Sequence, residues 1–372
     1  MFGGVQPDHG LVLFASLVIC IALCVVAKPL GAKLGVLAYP GGRRRHAEPT
    51  PQVGGIAMIV PLVIWCAGAL FADAGRDENL LFAIALCGAG VALIGFADDQ
   101  KETSPLSRTL SLLVFLTAAF AFEPQFTSHT LNWGSLGPYP VPMWFYYPLM
   151  AVTAVGLVNA VNMADGQNGV VGSMYAIWAL CLALTTTGAA AGVAWVLFCC
   201  ALVFLAFNLR GRLFMGDAGT YGVTFVFGLL VTLAHAKGQV SLETIIVWFF
   251  IPVADFLRLV ISRPMRGESP FDGDRDHFHH RLEDKMGKHM GLLSYASAVG
   301  LSSVISATMP RFALVCLVVL TAFYFSFAFL TDSQAERAAK SDGDAEAPQN
   351  GGDKIVSIVG DGGSDRRRRG KG

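Results

Sequence analysis

The chain has 372 residues, of which 54% are hydrophobic and only 15% charged, and its 27 basic residues are balanced by 27 acidic ones. That composition excludes an ordinary soluble globule, in which about 25% of residues are charged. The basic residues are scattered between apolar runs, so there is no continuous positive surface for a nucleic acid, and the lipid bilayer is the expected surrounding.

A helix needs about 20 apolar residues to cross a bilayer. Eleven stretches approach that length, at 10–28, 54–72, 79–97, 106–122, 143–163, 170–187, 190–208, 219–236, 242–261, 291–309 and 312–330. The expected fold is an all-α integral membrane protein, a polytopic bundle of about eleven transmembrane helices filling residues 1–330. No basic residue precedes the first stretch and several follow it, which reads as a retained span rather than a cleaved signal. Residues 331–372 are rich in Gly, Asp and Ala, the composition of a disordered tail. The eight cysteines, Cys20, Cys24, Cys199 and Cys200 among them, lie in apolar spans without metal-ligand spacing and read as packing residues.

The polar motifs follow the spans in a regular way. After the first span come Arg43–Arg45 and then Pro49-Thr50-Pro51 with Gly54-Gly55, punctuation for an ordered loop. Asp98-Asp99 closes the third span. Adjacent carboxylates repel, so the pair is either a solvated helix end or a site awaiting a cation such as magnesium. In the fifth span Asn159, Asn162 and Asp165 recur at i, i+3 and i+6, one stripe of a helix ending at Gly166-Gln167-Asn168-Gly169. Three polar groups on one stripe favour a ligand over interhelical hydrogen bonding. Met215-Gly216-Asp217-Ala218-Gly219 follows the seventh span, with Asp217 placed either to cap the next helix or to meet a metal or phosphate. Beyond the ninth span, where Asp255 and Arg258 are spaced to pair, a long loop holds Arg263, Arg266, Arg275, Arg281 and His277-Phe278-His279-His280. Arginine forks and imidazoles suit a diphosphate, whereas the spacing is wrong for structural zinc.

Consecutive spans alternate direction, so all four clusters emerge on one membrane face. If that face is cytoplasmic, 24 of the 27 basic residues are inside and only Arg76, Lys237 and Arg311 are outside. The N-terminus is then outside and the tail is cytoplasmic. Acids at helix ends argue against a transporter, whose charged residues are expected near the bilayer midplane.

Taken together, the motifs from about residue 28 to 290 resemble the polyprenyl-phosphate N-acetylhexosamine-1-phosphate transferases, the MraY/WecA family. The resemblance rests on Pro49-Thr50-Pro51, Asp98-Asp99, Asn159 to Gly169, Phe214 to Gly219, and Ser269-Pro270-Phe271 through Asp274-Arg275 to His277–His280. The His-x-His-His form and eleventh span are similar to the WecA-type branch rather than the peptidoglycan branch. The resemblance implies transfer of a sugar 1-phosphate, N-acetylglucosamine expected, from a UDP-N-acetylhexosamine to undecaprenyl phosphate with release of UMP. It implies initiation of a surface polysaccharide such as O-antigen at the cytoplasmic face of the bacterial inner membrane, with Mg²⁺ or its substitute Mn²⁺, and it is compatible with a homodimer. It gives catalytic and metal-binding roles to Asp98, Asp99 and Asp217. Asn159, Asn162, Asp165, Asn168, Arg263, Arg275, His277, His279 and His280 become substrate contacts, with His279 and His280 on the sugar diphosphate. Prenyltransferase Asp-x-x-x-Asp pairs and the CDP-alcohol phosphotransferase pattern do not fit. Two positions depart from the family: Asn168 stands where an acid is common, and Glu102 where Asp or Asn is common.

Overall fold

The computed structural model describes residues 7–40, 48–72, 77–134, 136–267, 269 and 276–328. Compactness divides the chain into Met1–Phe329 and Leu330–Gly372. The second unit, and with it the expected disordered tail, lies outside the described residues, as do Arg43–Arg45 and Arg275.

The described residues are almost wholly helical, as the apolar stretches predict. In chain order the helices are α1 (Pro7–Val25), α2 (Ala27–Leu34), α3 (Gly54–Ala72), α4 (Glu78–Gln100), α5 (Pro105–Phe122), α6 (Met143–Ala164), α7 (Val170–Thr185), α8 (Gly188–Asn208), α9 (Gly216–Ala236), α10 (Leu242–Met265), α11 (Phe278–Met286), α12 (Lys288–Thr308) and α13 (Pro310–Ala328). Among the described residues nine helices are long and apolar enough to cross a membrane singly.

The other two expected spans differ in form. The first is broken: α1 and α2 meet at an angle of 71°. Pro29 explains the break, because it cannot donate to the Val25 carbonyl and its ring collides with it. The sixth, α7, starts at Val170 as expected but has only 16 residues, because Thr186 and Thr187 are already extended and lead into α8.

Helix α9 is the centre of the bundle and packs against α3, α4, α6 and α7. Small residues allow its two closest crossings. A Cβ on Gly55 of α3 would lie 2.0 Å from the Gly219 nitrogen, and one on Gly95 of α4 would lie 2.1 Å from the Asp217 carbonyl oxygen. Backbones therefore touch without side chains between them. This brings the C-terminal end of α4, with Asp98 and Asp99, against the N-terminal turn of α9, with Asp217.

Two short strands, β1 (Leu37–Ala38) and β2 (Thr50–Pro51), pair antiparallel with Leu37 opposite Pro51 and Ala38 opposite Thr50. The Pro-Thr-Pro loop is indeed ordered. Pro51 accepts from the Phe214 amide at 2.9 Å, and Gly54 and Gly55 donate to Phe214 and Met215 at 2.9 and 2.8 Å. A second hairpin, β3 (Thr130–Trp133) with β4 (Gly137–Pro140), lies between α5 and α6. In α10, Pro252 leaves the Trp248 carbonyl free, and the Trp178 indole donates to it at 3.0 Å.

Candidate active site

All four polar clusters line one cleft of about 1620 Å³, together with the Pro-Thr-Pro loop. The parity expectation is met: helix ends far apart in sequence share one face of the bundle.

The acids differ from expectation in their partners. Asp98 faces Arg108, which donates to Oδ2 at 2.6 Å, and the Tyr221 hydroxyl donates to the same oxygen at 3.1 Å. Its Oδ1 accepts from the backbone N–H and hydroxyl of Thr103 at 2.6 and 2.8 Å. Asp99 turns the other way and accepts from the Asp217 and Ala218 amides at 2.9 and 3.0 Å. It therefore caps the N-terminus of α9 from another helix, where the aligned dipoles favour negative charge. The expected repulsion between Asp98 and Asp99 is relieved by a guanidinium and a helix terminus.

That arrangement corrects one sequence reading. Asp217 is not the cap of its own helix, since it lies within the first turn of α9 and the capping carboxylate is Asp99. Asp98, Asp99 and Asp217 line the cleft together, and among the described residues no group of three His, Cys, Asp or Glu side chains is already arranged around a metal-sized gap. Asp217 instead accepts from the Asn162 amide at 2.7 Å, and Asn162 also donates to Thr220 at 2.9 Å.

The stripe on α6 behaves as its spacing predicts, with Asn159, Asn162 and Asp165 all on the cleft wall. Burial, followed by the charges of Asp217 and Asp99, raises the Asp165 pKa well above the ordinary carboxylate range. A cation would relieve that strain. The oxygen donors of Asp165 and Asp217 fit magnesium, which commonly needs only one or two protein carboxylates beside substrate phosphates.

The glycines after Asp165 have separate reasons. Gly169 has φ +95°, a left-handed geometry that allows the turn into α7. Gly166 makes room for imidazoles, since a Cβ there would lie 2.6 Å from His279 Nε2 and 3.2 Å from His280 Nε2. Asn208 clamps the loop, accepting from the Gly169 amide at 2.7 Å while donating to the Leu213 carbonyl at 2.8 Å. Asn168 lines the cleft. Beside it, Gln167 is buried at 8% exposure, and neither its amide oxygen nor its nitrogen has a hydrogen-bond partner.

The histidines are sorted by helical geometry. His277 precedes α11 and His280 lies in its first turn, three residues on, so both face the cleft. His279 is not on the cleft wall. It is buried against Gly166, with its ring stacked on that of His277 at 5.5 Å. Of the histidines expected as substrate contacts, His277 and His280 thus line the cleft and His279 packs behind them. Arg263, fully buried at the end of α10, lines the cleft as expected. Arg266 and Arg281 pair with Asp276, and Arg258 pairs with Asp255 and Asp276, so these three arginines tie down the loop.

Several cleft residues were not singled out from sequence as site residues. Arg108 was read only as a topology charge, yet the Ser104-Pro105 start of α5, where Ser104 accepts from the Ser107 amide at 3.1 Å, sets it one turn into the helix. Lys28, Arg210, Arg212 and Lys288 also line the cleft. An adjoining apolar groove of about 400 Å³ is lined by residues such as Val91, Leu112, Val158 and Phe256. Arg108 and Asn159 border both spaces.

Residues 81–235 match the model of glycosyl transferase family 4. The matched stretch covers less than half of the chain. It runs from α4 to the end of α9 and carries both acid clusters and the Asn159–Gly169 motif. The undecaprenyl-phosphate alpha-N-acetylglucosaminyl 1-phosphate transferase of Escherichia coli K12 is 28% identical over 322 residues, 81% of this chain and 85% of that protein. The protein of the same description from Salmonella typhi is 27% identical over 329 residues, 81% and 86% of the two chains. The decaprenyl-phosphate N-acetylglucosaminephosphotransferase of Mycobacterium tuberculosis is 26% identical over 291 residues, 68% and 70%. The family resemblance read from the motifs is borne out.

Proposed function

We propose that this chain transfers N-acetylglucosamine 1-phosphate from UDP-N-acetylglucosamine to a polyprenyl phosphate, undecaprenyl phosphate in the first instance, releasing UMP. The observation that carries the reading is the junction at Arg108, where an acid- and arginine-lined polar cleft opens into an apolar groove. A lipid phosphate has this two-part chemistry, with a chain that belongs in the groove and a headgroup that belongs beside a guanidinium. The names of the relatives support the polyprenyl phosphate acceptor and the transferred N-acetylglucosamine 1-phosphate.

In this reading an oxygen of the lipid phosphate attacks the sugar-bearing phosphorus. A new phosphorus–oxygen bond forms, the bond from the attacked phosphorus to the bridging oxygen breaks, and UMP leaves with that oxygen. Two polyanions must be held in line, so positioning and charge stabilisation dominate. Arg108 would receive the lipid phosphate, exchanging it for Asp98, while Arg263, His277 and His280 would meet the diphosphate. Asp217 and Asp165 would hold Mg²⁺, or Mn²⁺ in its place, which when bound offsets phosphate charge. The charge bias of the loops supports a cytoplasmic cleft in a bacterial inner membrane, and the reaction fits the start of a surface polysaccharide such as O-antigen.

The test is transfer of radiolabelled sugar to undecaprenyl phosphate by the purified protein, using a panel of UDP-N-acetylhexosamines with Mg²⁺ or EDTA. Labelled lipid from UDP-N-acetylglucosamine, lost in EDTA, is expected. Turnover of only the peptidoglycan precursor UDP-N-acetylmuramoyl-pentapeptide would replace this reading with the other branch.

A further inference from the structure

Asp255 carries no role in the transfer chemistry above, and it does not line the cleft. It is nonetheless a buried carboxylate with a full set of partners from three helices. Its Oδ2 accepts from His277 Nδ1 at 3.2 Å and from the Phe278 amide at 3.1 Å. Its Oδ1 accepts from the Tyr324 hydroxyl at 3.1 Å and from Arg258 Nη2 at 2.9 Å. Arg258 Nε also donates to the Tyr324 oxygen at 3.0 Å, which closes a ring of three side chains behind the histidine.

An ionised carboxylate only accepts hydrogen bonds, so Nδ1 of His277 must carry a hydrogen. With Nδ1 directed to Asp255, Nε2 is the ring nitrogen left for the cleft. The other contacts hold the ring in that attitude. The Phe278 amide bond fixes the carboxylate to the first residue of α11, and the near-parallel His279 ring, tilted by only 9°, backs the imidazole. Arg258 Nη1 and Arg281 both reach Asp276, and Arg281 Nη1 donates to the Ala328 carbonyl at 2.7 Å. The segment carrying His277 is therefore pinned both to α10 and to the end of α13.

We infer that Asp255, Arg258 and Tyr324 are positioning residues for His277, fixing its ring so that Nε2 alone meets the sugar diphosphate. Helix α13 thereby belongs to the catalytic unit through the Tyr324 hydroxyl, although it lies beyond the family-matched stretch. A partner that orients a functional imidazole from behind typically changes its performance by about 10–100-fold when it is removed. The inference rests on the transfer reading for the identity of the ligand.

The test is a double-mutant comparison in the full-length detergent-purified protein, with Asp255→Asn and Tyr324→Phe made alone and with His277→Ala. Alone, Asp255→Asn is expected to lower kcat/KM for UDP-N-acetylglucosamine by about 10–100-fold. Tyr324→Phe should lower it by about 3–10-fold, with the KM for undecaprenyl phosphate unmoved in both variants. In the His277→Ala background neither change should cost more than about 2-fold, because the group they orient is gone. Equal losses in both backgrounds would show a general structural role and overturn the inference. If Asp255→Asn proves too unstable, Tyr324→Phe decides the matter by the same comparison. If the wild-type protein turns over no UDP-sugar, the transfer reading fails separately. The comparison is then made on thermal stabilisation by inorganic pyrophosphate with Mg²⁺, where equal losses in both backgrounds again overturn the positioning role.

Discussion

Replacing Gly95 by alanine tests whether the α4–α9 crossing sets the geometry of the acid cluster. The added Cβ would lie 2.1 Å from the Asp217 carbonyl oxygen and 2.4 Å from its carbon, both backbone atoms that cannot swing away. Ordinary contact begins at 3.4 Å, so the helices must separate by about 1.3 Å at the point where Asp99 caps α9. Overpacking of this kind costs about 1–3 kcal/mol. The functional effect should be larger, since a misplacement of about 1 Å between reacting groups lowers rate about 100-fold. The control is Gly228→Ala in α9, where a Cβ meets nothing within 4 Å. It should leave turnover unchanged and stabilise by up to about 1 kcal/mol through helix propensity. Thermal unfolding in detergent and the radiolabel transfer assay give both quantities. Near-normal turnover in Gly95→Ala, at whatever stability, would refute the claim that this crossing holds the acids in register.

Other expected outcomes follow from individual contacts. Asp217→Asn should lower turnover at least about 100-fold, as loss of a preorganised charge does, without loss of thermal stability in EDTA, because it removes a charge that opposes Asp165 and Asp99. A destabilised Asp217→Asn variant with matching activity loss would count against a chemical role. Arg108→Leu strands the Asp98 carboxylate, whose side chain is only 3% exposed. Breaking a buried pair costs about 3–5 kcal/mol, and the part exposure of Arg108 lowers this to about 2 kcal/mol. Adding Asp98→Asn should restore most of that stability but not the raised lipid KM, and the melting curves of the double variant check it. Gln167→Leu removes two buried unpartnered polar atoms and should stabilise the ligand-free protein by about 1 kcal/mol while raising the donor KM; an unchanged KM would leave Gln167 outside recognition. Because the folded-state pKa of Asp165 is raised, its contribution to stability is fully present below the ordinary carboxylate pKa and is lost as pH rises through the raised value. In EDTA the stability of wild type relative to Asp165→Asn should therefore fall as pH rises above the ordinary carboxylate range, and a rise would contradict the electrostatic account.

The spans and the shared face of the four clusters were legible because both follow from periodicity and parity, which are local properties of the sequence. The Asn159, Asn162 and Asp165 stripe was legible for the same reason. The placing of His279 behind the cleft wall was not, because it depends on where α11 begins, and a His-x-His-His run permits more than one phase. Asp99 gave no sign of its capping role, since the amides it accepts from are more than 100 residues away. Arg108 counted as a topology charge in the loop bias, and nothing local distinguished it from the other basic residues near helix ends. The Asn208 clamp shares that difficulty: an amide at the end of an apolar helix reads as a boundary until its two loop partners are known.

These long-range contacts have a common logic. Asp98 and Asp99 leave one helix end in opposite directions, one toward a guanidinium on α5 and one toward the positive terminus of α9. Among the described residues Asp165 and Asp217 pair with no such cation: Asp217 accepts a neutral amide, and burial, followed by the charges of Asp217 and Asp99, keeps the Asp165 pKa raised. The four acids thus divide into a satisfied pair that fixes the helices and an electrostatically strained pair that faces the cleft. Uniform neutralisation would leave no driving force for a cation or a cation-bearing substrate to enter. Leaving all four unpaired would force α4, α6 and α9 apart. Confining the strain to Asp165 and Asp217 while Asp99 and the glycines hold the backbones together lets the bundle stay closed around a site that gains stability only when positive charge arrives.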